Sequence, residues 1–235
     1  MMKLFCFPYA GGSATAYQKW NRFLSNSIEL YPVELAGRGA MSRIPLYINF
    51  CDMVEEVFSR IQPHLMNGPY AFFGHSMGGR LSFELGQKIR ELGMKGPETM
   101  FISGCGAPNF EYNRVKYHLL SNEEFKLEVV KLGGIPEEIL LNTDIFDYYL
   151  PILRSDFRNL ETFLPRYNYE LLDSNFHLFH GDDDKIPLQA VDSWNRFTSR
   201  SYQMEVFSGG HFFINNYTEQ ITRIINDTLI GINKL

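Results

Sequence analysis

Gly74, His75, Ser76, Met77 and Gly78 make a G-x-S-x-G pattern, a setting in which a serine can attack a carbonyl carbon. The chemistry needs glycines there because a serine on a sharp strand-to-helix turn takes a strained backbone. Small flanking residues also let strand and helix pass without collision. Both flanks agree with this reading. The apolar run Tyr70 to Phe73 precedes the pattern, and Leu81, Leu85, Ile89 and Leu92 follow at helical spacing.

A serine hydroxyl is a poor nucleophile near neutral pH, so it needs a histidine base, an acid to orient that base, and N–H donors for the oxyanion. Among the six histidines, His211 follows Gly209 and Gly210 just after the strand-like stretch Tyr202 to Phe207, where a loop can return to the serine. His64 and His118 sit in polar stretches and are expected at the surface, while His177 alternates along a strand. His180 is the competing base, but it would stand before or beside its own orienting carboxylate. Asp182, Asp183 and Asp184 open a turn after the Phe176 to Phe179 strand; Asp184 is the expected acid and Asp182 the alternative. The order Ser76, Asp184, His211 is that of the α/β-hydrolase class and differs from the chymotrypsin and subtilisin orders. Three aspartates in a row could suggest a metal site, but adjacent side chains diverge and no His or Cys cluster completes a shell.

The loop Pro8 to Ser13 follows the first strand-like run, Lys3 to Phe7, and its flexibility can bring backbone N–H groups to an anion. The expected oxyanion donors are the N–H groups of Ala10 and Met77, the latter next to the nucleophile. A phosphate cradle is the weaker reading, because no G-x-G-x-x-G or G-K-[ST] pattern follows.

The elements that must carry these residues alternate. Strand-like segments run over Lys3 to Phe7, Ile28 to Val33, Tyr70 to Phe73, Thr99 to Ser103, Phe176 to Phe179 and Tyr202 to Phe207. Helical patterns cover Ile48 to Leu65, Gly78 to Leu92 and Thr218 to Leu229. This predicts one α/β domain with a mostly parallel sheet flanked by helices. The interval 107 to 172 breaks the alternation and reads as an inserted helical cap. Ser121 and Glu124 form a capping box there, and Phe146, Tyr149, Leu150, Leu153 and Phe157 form an apolar stripe with a kink expected at Pro151. Such a stripe either packs as core or lines an acyl channel over the serine.

The chain has 235 residues, 45% of them hydrophobic, enough for a single substantial core. A net charge of −5 argues against general nucleic-acid binding. The apolar run before Pro8 is too short for a signal-peptide core, and no later run could span a membrane, so a cytoplasmic protein is expected. Cys6, Cys51 and Cys105 have no metal spacing and are expected as reduced core residues.

Taken together, the residues resemble the type II thioesterases that accompany nonribosomal peptide and polyketide synthases, with fatty-acid synthase thioesterases as relatives. The likeness covers nearly the whole chain: FPYAGGS at Phe7 to Ser13, Ala36-Gly37-Arg38, GHSMGG at Gly74 to Gly79, LRSDF at Leu153 to Phe157, Gly181 to Asp184, Trp194, and GGHFF at Gly209 to Phe213. It implies an α/β-hydrolase fold with a mobile helical lid, Ser76, Asp184 and His211 as catalytic set, and Ala10 and Met77 as oxyanion donors. It further implies acyl thioesters on the phosphopantetheine arm of carrier proteins as substrates, with no cofactor or metal, and a monomer is expected. Two residues depart from the family pattern: Ala36, where proline is usual, and Tyr9, where histidine is frequent. The alternatives are a general carboxylesterase or lipase, a medium-chain fatty-acyl-carrier thioesterase, and an idle hydrolase fold that binds carrier domains.

Overall fold

A computed structural model describes residues 1–110, 115–134, 142–166 and 168–232. Six strands, β1 (Met2–Phe7), β2 (Ile28–Pro32), β3 (Tyr70–His75), β4 (Thr99–Ser103), β5 (Asn175–Gly181) and β6 (Tyr202–Phe207), form one sheet in the order β2-β1-β3-β4-β5-β6. Every neighbouring pair is parallel. All six expected strands are present, with β3 and β5 running further than their apolar cores suggest because Gly74, His75, His180 and Gly181 continue the ladders.

A parallel sheet needs crossovers, and these cover both faces, so its central strands are buried on each side. Every residue of β3 is buried, which is why it reads as a continuous apolar run. Side-chain alternation then sorts the core into two halves. Phe5, Phe7 and Phe72 face α1 (Phe50–Leu65) and α2 (Met77–Glu91), meeting Val57, Leu81 and Leu85. Leu4, Cys6 and Phe73 face the other way, toward Trp20 of the 3-10 helix Ala14–Arg22 and Ile221 and Ile225 of the last helix.

Between β4 and β5 the chain builds α3 (Asn122–Leu132) and α4 (Thr143–Thr162). The expected capping box is formed: the Ser121 side chain accepts the Glu124 N–H, and the Glu124 carboxylate returns to the Ser121 N–H. Helix α4 continues through Pro151, where the kink is expected, as one element; the lost N–H removes one rung without ending the helix. Its stripe packs against Phe125 and Val129 of α3 in a small separate core. The short α5 (Leu188–Asp192) follows β5, and α6 (Thr218–Ile232) closes the fold. Among the described residues no helix is long and apolar enough to cross a membrane.

Two expectations are corrected. Cys51 is exposed, because in α1 the buried face falls on Phe50, Met53, Val54 and Val57, one helical step away. His118 is half-buried and pairs with Glu161 near the end of α4, so its polar sequence context does not place it at the surface.

Candidate active site

β3 ends at His75, α2 begins at Met77, and Ser76 between them has φ +55°, the one positive φ at a non-glycine among the described residues. A side chain in that region is strained by roughly 1–3 kcal/mol, so its neighbours must enforce it. The Ser76 N–H donates to the Ser103 carbonyl at 2.7 Å, and the Ser76 carbonyl accepts from Gly79 and Arg80 at 3.0 and 3.3 Å. The glycines are required by space: a Cβ on Gly78 would lie 2.0 Å from the Phe7 carbonyl oxygen, and one on Gly74 would lie 2.1 Å from that of Gly78.

The loop after β6 brings His211 to this serine. His211 Nε2 is 2.9 Å from Ser76 Oγ, and His211 Nδ1 is 2.8 Å from Asp184 Oδ2. Asp184 follows β5, and its other oxygen accepts the Ile186 N–H at 3.1 Å. Burial pushes the Asp184 carboxyl upward, but the His211 hydrogen bond and charge, with the Ile186 N–H, outweigh it and hold the group below its usual range. Asp184 therefore stays ionised beside the imidazole, the state needed to fix its tautomer.

The competing residues are elsewhere. Asp182 accepts the Gly209 N–H at 2.8 Å and does not reach the histidine. The His180 ring is buried, and burial pushes its pKa down against the opposing pull of Asp184. His177 is buried on β5, and the His64 ring lies against Tyr31. Among the described residues no group of His, Cys, Asp and Glu could hold a metal ion, the three aspartates included.

The two expected oxyanion donors flank this arrangement. Neither the Ala10 nor the Met77 N–H has a partner among the described residues, and Ala10 lines a cavity of about 260 Å³ together with Ser76 and His211. Tyr149, Leu153 and Phe157 of α4 and Val129 and Leu132 of α3 supply apolar wall to the same cavity. The stripe on α4 is thus both core and lining. Tyr9 also lines it, with its ring edge-on to Phe212 at 4.8 Å between centroids.

Sequence reasoning missed His75 as a support. Its ring is fully buried, Nδ1 is 2.9 Å from Ser103 Oγ, and the ring centroid lies 5.0 Å from that of His211. Burial, reinforced by proximity to His211, holds its pKa well below the ordinary histidine value, leaving a neutral ring behind the site. The arginines Arg38, Arg80, Arg154 and Arg158 all bond to protein groups: Asp156, Glu84, the His118 and Leu120 carbonyls, and the Tyr47 carbonyl respectively.

Comparison with known proteins identifies the family. A thioesterase-domain family model matches residues 2–229. The gramicidin S biosynthesis protein GrsT of Aneurinibacillus migulanus is 37% identical over 215 residues, covering 91% of this chain and 83% of that protein. ClbQ of the colibactin NRPS/PKS pathway superposes with a TM-score of 0.93 at 35% identity, covering 99% of this chain and 98% of that one. The type II thioesterase BorB, from the borrelidin biosynthetic cluster, superposes with a TM-score of 0.83 at 28% identity, covering 96% of this chain and 90% of its own. Likeness this extended, from the first strand to the last helix, makes the chain a member of the thioesterase-domain family.

Proposed function

We propose that this protein is a type II thioesterase that hydrolyses acyl groups from the phosphopantetheine arm of carrier proteins, clearing stalled or misprimed units from a nonribosomal peptide or polyketide synthase. The observation that carries the reading is the continuous chain of contacts from Ser76 Oγ through His211 to Asp184, with distances of 2.9 and 2.8 Å. His211 Nε2 takes the Ser76 proton as Oγ attacks the thioester carbonyl, and the Ala10 and Met77 amides stabilise the oxyanion. The imidazolium returns that proton to the departing pantetheine sulfur. His211 then activates a water, which cleaves the acyl-enzyme and frees the acid and Ser76. These steps call for no cofactor or metal.

Support for the substrate comes from ClbQ, which belongs to an NRPS/PKS pathway, and from GrsT and BorB, which belong to gramicidin S biosynthesis and the borrelidin biosynthetic cluster. The apolar cavity beside Ser76 suits an acyl chain, and the α3 and α4 residues that line it support a lid role for the described part of the segment 107 to 172. A monomer working in the cytoplasm beside its synthase fits this role.

The test is intact-mass detection of acyl release from a panel of acyl-phosphopantetheinyl carriers by wild type and Ser76→Ala, beside a p-nitrophenyl ester. Ser76-dependent release, faster for short or aberrant units, is expected. Ester cleavage with carriers left loaded would replace this reading with a general esterase, and carrier binding without turnover would replace it with a binding protein.

A further inference from the structure

The loop that carries the Ala10 amide is held from outside by two side chains far apart in sequence. Within the loop, the Gly12 N–H donates to the Tyr9 carbonyl at 2.8 Å, making a turn with Gly11 at φ +74°, a position that favours glycine. Asp156 of α4 accepts the Gly11 N–H on Oδ2 at 2.8 Å. Arg38, from the segment after β2, donates to the Gly12 carbonyl at 3.0 Å. The same guanidinium meets Asp156 end-on, Nη1 donating to Oδ2 at 2.7 Å and Nη2 to Oδ1 at 2.8 Å. Helix α4 adds a steric stop, because a Cβ on Gly11 would lie 2.3 Å from Leu153 Cδ2.

Both charges are out of water, Arg38 at 2% exposure and Asp156 at 1%. Burial alone would lower the Arg38 pKa, but Asp156 outweighs it and the guanidinium is held charged. Buried pairs of this kind are often replaceable by apolar side chains without loss of stability, so stability is a weak reason to keep one. Geometry is a stronger reason. A bidentate guanidinium–carboxylate pair fixes direction as well as distance, and here its spare bonds fall on the Gly11 N–H and the Gly12 carbonyl, on either side of the Gly11–Gly12 peptide just after Ala10.

We propose that Arg38 and Asp156 are positioning residues for the oxyanion: their pair sets the 9–13 loop so that the Ala10 N–H meets the developing charge, and it does so only when α4 is seated. Neither touches the reacting atoms. The proposal rests on the reading of Ser76 as nucleophile and Ala10 as oxyanion donor. A donor held in place before reaction stabilises the transition state without strengthening ground-state binding, so loosening the loop lowers kcat and leaves KM almost unchanged.

The experiment compares wild type, Ser76→Ala, Arg38→Lys, and the double variant Arg38→Met with Asp156→Leu, which removes both charges together. Each is assayed on a soluble acyl-pantetheine thioester. Each is also titrated with a trifluoromethyl ketone analogue, which forms a tetrahedral oxyanion, and with the non-hydrolysable thioether, which does not. The double variant is expected to lose about 10²- to 10³-fold in kcat, the scale of one oxyanion donor. Ketone affinity should fall in parallel, while thioether affinity and KM stay within about threefold. Arg38→Lys keeps the charge but loses the fork, and should lose about tenfold in kcat with the same pattern. It also carries the test if the double variant does not fold.

A folded double variant within threefold of wild type in kcat overturns the proposal. So does an Arg38→Lys enzyme with unchanged ketone affinity, or parallel loss of ketone and thioether affinity in either variant. Failure of the parent reading looks different: wild type and Ser76→Ala would then hydrolyse the thioester equally, whatever the state of Arg38.

Discussion

Asp182 and Asp184, two residues apart on one turn, hold two points of the same loop: Asp182 Oδ1 takes the Gly209 N–H at 2.8 Å and Asp184 Oδ2 takes His211 Nδ1 at 2.8 Å. One carboxylate fixes the backbone before the base, and the other fixes the base itself. Asp184→Asn should therefore cost about 10⁴-fold in kcat, because an amide favours the wrong imidazole tautomer. Ser76→Ala should cost on the order of 10⁶-fold. Asp182→Asn keeps an acceptor for Gly209 and should stay within about tenfold of wild type. Steady-state rates on one thioester separate the three, and equal losses for the two aspartates would reject the division of roles.

The elbow has no room for a methyl group. With the Phe7 carbonyl oxygen 2.0 Å from the position of a Gly78 Cβ, Gly78→Ala must displace backbone at the end of β1, since no rotamer relieves the clash. A cost of about 3 kcal/mol or more is expected, lowering Tm by roughly 6–12 °C. Thermal unfolding by circular dichroism checks this; a Tm within about 2 °C of wild type would mean that strand and helix are less tightly seated.

The Ala36 N–H donates to the Tyr47 hydroxyl at 3.2 Å. That hydroxyl in turn donates to Glu56 at 2.6 Å. Tyr47→Phe leaves the Ala36 N–H buried without an acceptor and should cost about 1–3 kcal/mol of stability. The kcat should be unchanged, because neither group reaches the cavity. Urea denaturation with a parallel activity assay gives both numbers, and an unaltered midpoint would remove any role for this bond.

Stability should fall in mild acid. His75 is held neutral with its folded pKa well below 6.5, so below pH 6.5 the unfolded chain binds a proton that the native chain refuses. The contribution is complete above the unfolded value and is lost as pH drops toward the folded one, at up to about 1.4 kcal/mol per pH unit for this residue. His177 and His180 are shifted downward too, by burial, and act in the same direction. Urea midpoints between about pH 7.5 and about pH 5.5 should decline, with a shallower slope for His75→Asn. A midpoint that rises on acidification contradicts the account.

The sheet was legible because its apolar runs are short, β-rich and spaced by helical patterns, and the nucleophile because a glycine-framed serine needs its strand and helix on either side. Asp184 and His211 were legible through chain order. The Arg38–Asp156 pair was not: both residues fall in quoted motifs, yet 118 positions separate them, and no local pattern says that two such side chains meet. Cys51 and His118 were misjudged from local polarity, since a helical step decides the first and a distant glutamate the second. The capping box was readable because all of its bonds lie within four residues.

Four loops at the same ends of β1, β3, β5 and β6 supply the parts of the site, and the Ser76–His211 contact spans 135 residues. Contacts that close so long a stretch of chain are costly in entropy and form late, after local helices and neighbouring strand pairs. During refolding, hydrolysis should therefore return after helical signal and bulk collapse, with the docking of β6. Turnover in this fold reports the final long-range closure of the chain.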